Sequence, residues 1–239
     1  MRFAIILPFV LMTGAAVAQE QREAGLELVL LADASGSIDA EELAFQRQGY
    51  ALAMTDPSVI NAIQNSIYGT VAVTYVEWAA NTAVIADWTI IDGPDSAAAF
   101  AAELIDAPRG AFGRNAIGTA LLEGKRLIEE NDIYAPRAVI DFSGDSVRNF
   151  SGVSIEDARA EVLAAGMTIN ALPILTPEDG RRANIDLEQL YADRIIGGPG
   201  AFMVTATGRE TFAETVRRKL MLEIVGHTPE SFDVVYTGN

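Results

Sequence analysis

Apolar residues along the chain fall into short continuous runs. Residues 26–32 form a run broken only by Glu27, and further strands are predicted at residues 137–142 and 167–175. Runs of this length are typical of parallel strands that are covered on both faces of a sheet. A last strand of the same kind is predicted at residues 201–205. The pattern therefore predicts a central, mainly parallel sheet.

Residues 69–78 and 82–91 have a different character, because they are rich in β-branched and aromatic residues and are separated by only three residues. Such a pair is typical of a hairpin. We expect one of its strands to run antiparallel to the others, at an edge of the sheet.

Segments of helical periodicity lie between the strands. Asp39 followed by Glu42 predicts a capping box and a helix that runs to about residue 54. Pro57 and the Asn-rich stretch after it predict a loop. Further helices are predicted at residues 94–105 (from Asp95 or Ser96), from Ile117, from Ser154, near residues 187–191 and from Thr207. The alternation predicts an α/β fold, a doubly wound sheet with helices on both faces, whose ligands bind at the carboxyl ends of the strands.

The composition of the chain excludes several kinds of binding partner and metal site. The chain has 239 residues, enough for one domain, and a formal net charge of −16, which disfavours nucleic acid as a partner. It has no cysteine and one histidine, His227, so thiolate sites and sites with several histidine ligands are excluded. Any bound metal must be held by oxygen, which suits hard cations such as Mg²⁺ and Ca²⁺.

The N-terminal residues predict a signal peptide. Arg2 precedes an apolar run at residues 3–12, and the small residues Ala16-Val17-Ala18 form a cleavage signal. The run is too short to span a bilayer, so we expect cleavage after Ala18, a periplasmic or secreted protein, and no stable membrane anchor. The expected organisation is a signal peptide at 1–18, a short segment at 19–24, one domain at 25–226 and a tail at 227–239.

The loop after the first strand reads Asp33-Ala34-Ser35-Gly36-Ser37. It places three short oxygen side chains in one tight turn, and a hard cation needs several oxygens within short range. A helix-capping loop is the alternative interpretation of the same residues. Its position at the carboxyl end of a strand favours a metal site.

With this loop, the sequence resembles the von Willebrand factor A family over residues 25 to about 226. In that family the motif begins the metal-ion-dependent adhesion site. The resemblance implies that Ser35 and Ser37 bind the ion directly and that Asp33 acts largely through water. Asn115 stands where the family has a threonine, and its amide oxygen can also ligate. Asp145 matches the third element, an aspartate after the fourth strand, whereas Asp141 lies within that strand.

Two segments are similar to an uncharacterised bacterial branch of this superfamily, secreted or periplasmic proteins with a domain of unknown function. They are the strand that leads into Asp141-Phe142-Ser143-Gly144-Asp145 and the stretch at residues 196–202. This resemblance implies a fold and a site but no activity.

The expected function is cation-dependent binding of a protein, not catalysis. An Asp or Glu carboxylate of the partner would complete the coordination of the ion, with Mg²⁺ as the first candidate and Ca²⁺ or Mn²⁺ as alternatives.

A second hypothesis is an exported serine or phosphoester hydrolase that uses Ser146 or Asp33, although His227 is the only histidine available as a base. A third is a scaffold with a vestigial metal loop. Glu77, Trp78, Arg181 and Arg182 are interpreted as surface residues.

Overall fold

The computed structural model describes residues 22–175, 186–208 and 211–226, and the backbone of a short strand at 236–237. Its strands are β1 (Arg22–Glu23), β2 (Glu27–Asp33), β3 (Val71–Trp78), β4 (Thr82–Ile91), β5 (Ile133–Tyr134), β6 (Ala138–Gly144), β7 (Thr168–Pro173), β8 (Phe202–Met203) and β9 (Tyr236–Thr237). Its helices are α1 (Ala40–Met54), α2 (Pro57–Gln64), α3 (Pro94–Asp106), α4 (Ile117–Glu129), α5 (Ile155–Ala164), α6 (Leu187–Arg194) and α7 (Phe212–Val225).

Several predictions fall on residues that are not described. These are the signal peptide at 1–18, the pair Arg181 and Arg182, and His227. Among the helices that are described, none combines the length and the apolar character needed to cross a membrane.

One seven-stranded sheet, in the order β4-β3-β2-β6-β7-β8-β9, carries the fold. Strand β2 is central and pairs in parallel with β3 and β6, while β4 runs antiparallel to β3 at one edge. The predicted hairpin and the mainly parallel, doubly wound sheet are therefore confirmed. Strands β1 and β5 form a separate, parallel two-stranded sheet.

Burial explains the apolar run of β2, because every one of its residues is buried. Successive side chains of a strand point to opposite faces of the sheet. Leu28 and Leu30 join the core beneath α1, α3 and α7, whereas Val29 and Leu31 join the core beneath α4, α5 and α6. Helices thus cover both faces of the sheet, as predicted.

Helix α2 contradicts the loop predicted after Pro57. Asp56 caps it by accepting a hydrogen bond from Ser58 N at 2.8 Å. A proline at the first helical position costs little, because its missing N–H would have no partner there. Val59, Ile60 and Ile63 are buried and hold the helix on the core.

Three other details differ from the predictions. Helix α3 begins at Pro94, as the predicted range has it, but its N-cap is Gly93 and not Asp95 or Ser96, and Ser96 Oγ accepts hydrogen bonds from the N–H groups of Asp92 and Gly93. Helix α7 begins after Thr211, not Thr207. The strand predicted as the last, β8, is followed by β9, which pairs antiparallel to it within the predicted tail.

A buried charged cluster joins β6 to α7. Lys219 Nζ lies 2.6 Å from Asp141 Oδ1 and 2.6 Å from Glu223 Oε1, and all three side chains are buried. Asn170 Nδ2 also donates to Glu223 Oε1, at 3.2 Å. Burial, together with the nearby Asp141, raises the pKa of Glu223 to about 7. Asp141 therefore belongs to the core on the α7 face of the sheet.

Candidate metal site

The first loop of the candidate site leaves the carboxyl end of β2 at Asp33. Asp33 Oδ1 accepts a hydrogen bond from Ser35 N at 2.8 Å, which folds the loop back on itself. The hydroxyls of Ser35 and Ser37 lie 3.2 Å apart. Asp33 and Ser35 are fully buried, whereas Ser37 is exposed. The side-chain oxygens of the loop thus extend from the buried core, at Asp33 and Ser35, to the solvent, at Ser37.

The second carboxylate oxygen of Asp33, Oδ2, is buried and has no hydrogen-bond partner among the described residues. Gly144 lies against it, since a Cβ there would be 3.0 Å from Oδ2. Burial and, to a lesser extent, the carboxylate of Asp145 together raise the pKa of Asp33 to about 7. A buried, unpaired charge is costly, so a cation at Oδ2 would stabilise the ionised form.

The second loop is held against the first by a backbone hydrogen bond from Gly36 N to Gly113 O, at 2.8 Å. It carries Asn115, whose side chain is buried and whose Nδ2 has no hydrogen-bond partner among the described residues. The oxygen and nitrogen of a side-chain amide exchange places by a half-turn about one bond. An oxygen in the place of Nδ2 would be available to a cation.

The third loop carries Asp145 and is fixed by two buried aromatic side chains. Trp78 Nε1 donates to Ser143 O at 3.1 Å, and Tyr191 OH donates to Gly144 O at 2.8 Å. These bonds hold the end of β6 beside Asp33. Asp145 is half-buried and directly follows Gly144, which lies against Asp33 Oδ2, and its carboxylate raises the pKa of Asp33.

Arg109 was not identified from the sequence, although it holds the first loop from behind. Its Nη2 donates to the backbone oxygens of Ala34, Ser35 and Ile38 at 2.5, 3.1 and 2.9 Å. Because a guanidinium directs several N–H groups in one plane, it can bind the carbonyls on one side of a turn together. Arg109 therefore supports the backbone of the loop that carries the candidate oxygen ligands.

A buried ion pair supports the second loop. Arg47 donates to Glu77 Oε1 at 2.9 and 2.6 Å, and Glu77 Oε2 accepts from Gly110 N at 2.8 Å. Arg47 also donates to the carbonyls of Ala107 and Pro108. The interpretation of Glu77 and Trp78 as surface residues is therefore wrong, because both are fully buried. They face the core at the end of β3, where they position the second and third loops.

The structure brings the five predicted site residues to one edge of the sheet, in three adjoining loops. Their role as ligands stays a prediction. In the described ranges, no three His, Cys, Asp or Glu side chains cluster as a metal site. The donor set is instead two carboxylates, two hydroxyls and an amide, which fits a hard cation because such ions prefer oxygen ligands. These residues are Asp33, Ser35, Ser37, Asn115 and Asp145.

The hydrolase alternative rests on a serine next to this site. Ser146 Oγ accepts a hydrogen bond from Arg148 N at 3.1 Å. His227 is outside the part of the chain that the structure describes, so its distance from Ser146 is undefined. The hydrolase stays a prediction.

Solved structures with the same fold include several von Willebrand factor A proteins. Proximal thread matrix protein 1 from the mussel byssus matches with a TM-score of 0.59 and 16% identity, over 85% of this chain and 47% of its own. A von Willebrand factor type A protein from Catenulispora acidiphila matches with a TM-score of 0.56 and 15% identity, over 84% of this chain and 43% of its own. This chain thus spans less than half the length of either relative.

A third similar structure is the vWF domain of the type V pili tip protein Mfa5 from Porphyromonas gingivalis. It has a TM-score of 0.56 and 9% identity, and the match covers 88% of this chain and 98% of that domain. Another structure of the mussel protein has a zinc-occupied MIDAS motif, with a TM-score of 0.54 and 14% identity, over 82% of this chain and 46% of its own. At these identities the similarity shows the fold alone.

The sequence also matches one family model. No curated protein matches the chain. The model described as "Protein of unknown function (DUF1194)" matches residues 23–228, which is most of the chain and nearly all of the described fold. The predicted resemblance to the von Willebrand factor A superfamily, through a branch with a domain of unknown function, is therefore confirmed. The chain belongs to the DUF1194 family and has the von Willebrand factor A fold.

Proposed function

We propose that this protein binds a divalent cation at the carboxyl edge of its sheet and, through that cation, a carboxylate of a partner protein. The observation that carries the proposal is the buried Oδ2 of Asp33, which has no hydrogen-bond partner in the described structure and lies in the same loop as the paired hydroxyls of Ser35 and Ser37. Asn115 and Asp145 would complete the protein's share of the ligands.

The chemistry of the donors favours Mg²⁺ as the ion, with Ca²⁺ or Mn²⁺ as alternatives, because all the available donors are oxygens. If the neutral hydroxyl and amide oxygens dominate the direct ligands and Asp33 acts largely through water, the ion keeps part of its positive charge, which attracts a carboxylate from another protein. The zinc-occupied MIDAS motif of the mussel protein supports the proposal by analogy of fold.

Isothermal titration with Mg²⁺, Ca²⁺, Mn²⁺ and Zn²⁺ tests the ion site. We expect saturable binding of one ion, abolished in Asp33→Asn and weakened in Ser35→Ala. Asp87→Asn, which changes an exposed aspartate on β4, is the matched control and should bind as the unchanged protein does. No binding, or equal binding by Asp33→Asn, would remove the basis of the proposal.

The proposal includes export of the chain. It is supported by Arg2, the apolar run at residues 3–12 and the cleavage signal that ends at Ala18. Expression in a Gram-negative host, followed by fractionation and N-terminal sequencing, should give a periplasmic or secreted protein that begins at Gln19. An intact N-terminus in the cytoplasmic fraction would contradict this part.

We also propose that the protein acts by binding and not by catalysis. A panel of ester and phosphoester substrates, with Ser146→Ala as the control, should show no turnover that depends on Ser146 or Asp33. Turnover that is lost in Ser146→Ala would favour the hydrolase instead.

A further inference from the structure

Exposed apolar side chains lie beside the candidate metal site. Phe112 and Phe150 are 59% and 45% exposed, and Val153 is 39% exposed. Phe112 lies in the second loop, and the backbone N–H of Phe150 donates to Asn115 O at 2.8 Å. The two rings therefore lie on loops that contact each other at Asn115. Large apolar side chains that share one part of a surface are typical of a binding site.

Arginine residues accompany these rings. The guanidinium of Arg114 lies over the ring of Phe150, with 3.5 Å from Cζ to the ring centre, and Arg109 lies 5.7 Å from the ring centre of Phe112. Arg148 is exposed in the same loop as Phe150. We name Phe112, Arg114, Arg148, Phe150 and Val153 the arginine–aromatic rim.

The charge of the rim is opposite to that of the protein. The sequence has 33 acidic and 17 basic residues, yet residues 107–122 and 146–155 contain three arginines and neither Asp nor Glu. On the other side of the first loop, Asp39 and Glu42 form the capping box of α1, so that side is acidic. An acidic segment is therefore repelled over α1 and attracted over the rim, although salt screens both effects.

We propose that the arginine–aromatic rim binds a protein segment in which the acidic residue that reaches the cation is flanked by apolar side chains. This inference rests on the proposed function, because the acidic residue is the one that completes the ion's coordination. The rings of Phe112 and Phe150 bury the flanking apolar residues, and Arg114 and Arg148 attract the segment's negative charge. Aromatic and arginine residues of this kind are the usual centres of binding energy in interfaces.

Selection from a displayed library of random heptapeptides tests the inference. The purified protein is immobilised in Mn²⁺, and bound peptides are eluted with EDTA. We expect the selected peptides to contain Asp or Glu with an apolar neighbour. The double variant Phe112→Ser, Phe150→Ser should bind a selected peptide at least tenfold more weakly than the unchanged protein.

Two controls separate the rim from the ion. Ile67→Ser changes an exposed apolar residue in the α2–β3 loop, at the other end of β3, and should leave peptide affinity unchanged. Isothermal titration should show that the double variant keeps the ion affinity of the unchanged protein. The inference fails, and the proposed function survives, if selected peptides carry an acid without apolar neighbours or bind the double variant equally well. If the unchanged protein binds no ion, the proposed function fails as well.

Discussion

Two buried groups of acids in this protein differ in whether a basic residue of the chain forms an ion pair with them. Asp141 and Glu223 enclose the ammonium of Lys219, which comes from α7 and lies 2.6 Å from both. Asp33 is also fully buried, but within the described ranges no basic side chain forms an ion pair with it. The core thus neutralises its acids with a residue of the chain, whereas under the proposed function the neutralising charge at the carboxyl edge of the sheet is a cation from solvent.

This difference predicts two kinds of response to mutation. A change in the first group alters folding, because a buried charge that has lost its partner stays inside the core. Under the proposed function, a change in the second group alters ion binding, because Asp33 is then a group that the ion and not the chain neutralises. Four experiments test this separation, from the largest expected effect to the smallest.

Lys219→Met should destabilise the fold by about 3–5 kcal/mol, because it leaves Asp141 and Glu223 buried beside each other without a cation. Urea unfolding measures the loss. Lys125→Met, which removes two ion pairs at the surface of α4, is the control and should change stability little. A loss for Lys219→Met no larger than for this control would show that the buried cluster does not hold α7 to the sheet.

Asp33→Asn should weaken Mg²⁺ binding by about 100-fold or more, since loss of a ligand should exceed the effects of changing its surroundings. In the absence of the ion, its free energy of unfolding should not fall below that of the unchanged protein, because asparagine keeps an oxygen for the hydrogen bond from Ser35 N and removes a costly buried charge. Titration and urea unfolding of the same samples measure both. If Asp33→Asn has a much lower free energy of unfolding than the unchanged protein without the ion, Asp33 also stabilises the fold, and the two groups do not differ as proposed.

Glu223→Gln should remove a pH dependence of stability. The pKa of Glu223 is raised from 4.5 to about 7 in the fold, so the folded protein binds more protons than the unfolded chain between these pH values. Stability therefore falls as pH rises through this window, by on the order of 2 kcal/mol from this group. Glutamine keeps an oxygen for Lys219 and Asn170 but does not titrate.

Urea unfolding at pH 4.5 and pH 7.5, without divalent ions, measures this effect. Asp33 titrates in the same window, and it is unchanged in both proteins, so the difference between them isolates Glu223. Equal pH dependence in the two proteins would mean that Glu223 is ionised in the fold throughout.

Asn115→Ala should weaken ion binding by about tenfold, or about 1.4 kcal/mol, if the amide oxygen is a ligand. Asn115→Thr restores a short oxygen side chain and should bind at least as well as the unchanged protein. Equal affinity of all three proteins would remove Asn115 from the set of ligands and leave its buried amide with a structural role only.

The parts of the fold that sequence predicts are those determined by neighbouring residues. The run of β2 is apolar because both faces of the strand are covered, and the capping box of Asp39 and Glu42 lies within one helical turn. The loop from Asp33 to Ser37 is similarly local, so its three oxygens could be identified together. Helix α2 was missed because Pro57 was interpreted as a helix breaker, although it stands at the one helical position where proline fits.

The parts that sequence does not predict depend on contacts between distant segments. Arg109 holds carbonyls 71 to 75 residues earlier in the chain. In the sequence, Glu77 is a polar residue at the end of a hairpin strand. Only the fold brings Arg47 against it. A charged residue that follows an alternating pattern gives no sign of such a partner, since the pairing exists only after the helices have packed on the sheet. For Arg109, the one signal in the sequence is that a basic residue stands within a Gly-rich loop, while the first loop is acidic.

The position of Arg109 has a consequence for identifying similar sites in other chains. Its guanidinium binds the backbone carbonyls of Ala34, Ser35 and Ile38, so this support does not depend on the side chains that the turn carries. We therefore expect the turn to keep its shape in chains whose side chains there differ. A sequence search for Asp-x-Ser-x-Ser together with this arginine would therefore select chains in which the turn has the same support. Such a search would also find chains that, like this one with Asn115, lack a threonine in the second loop.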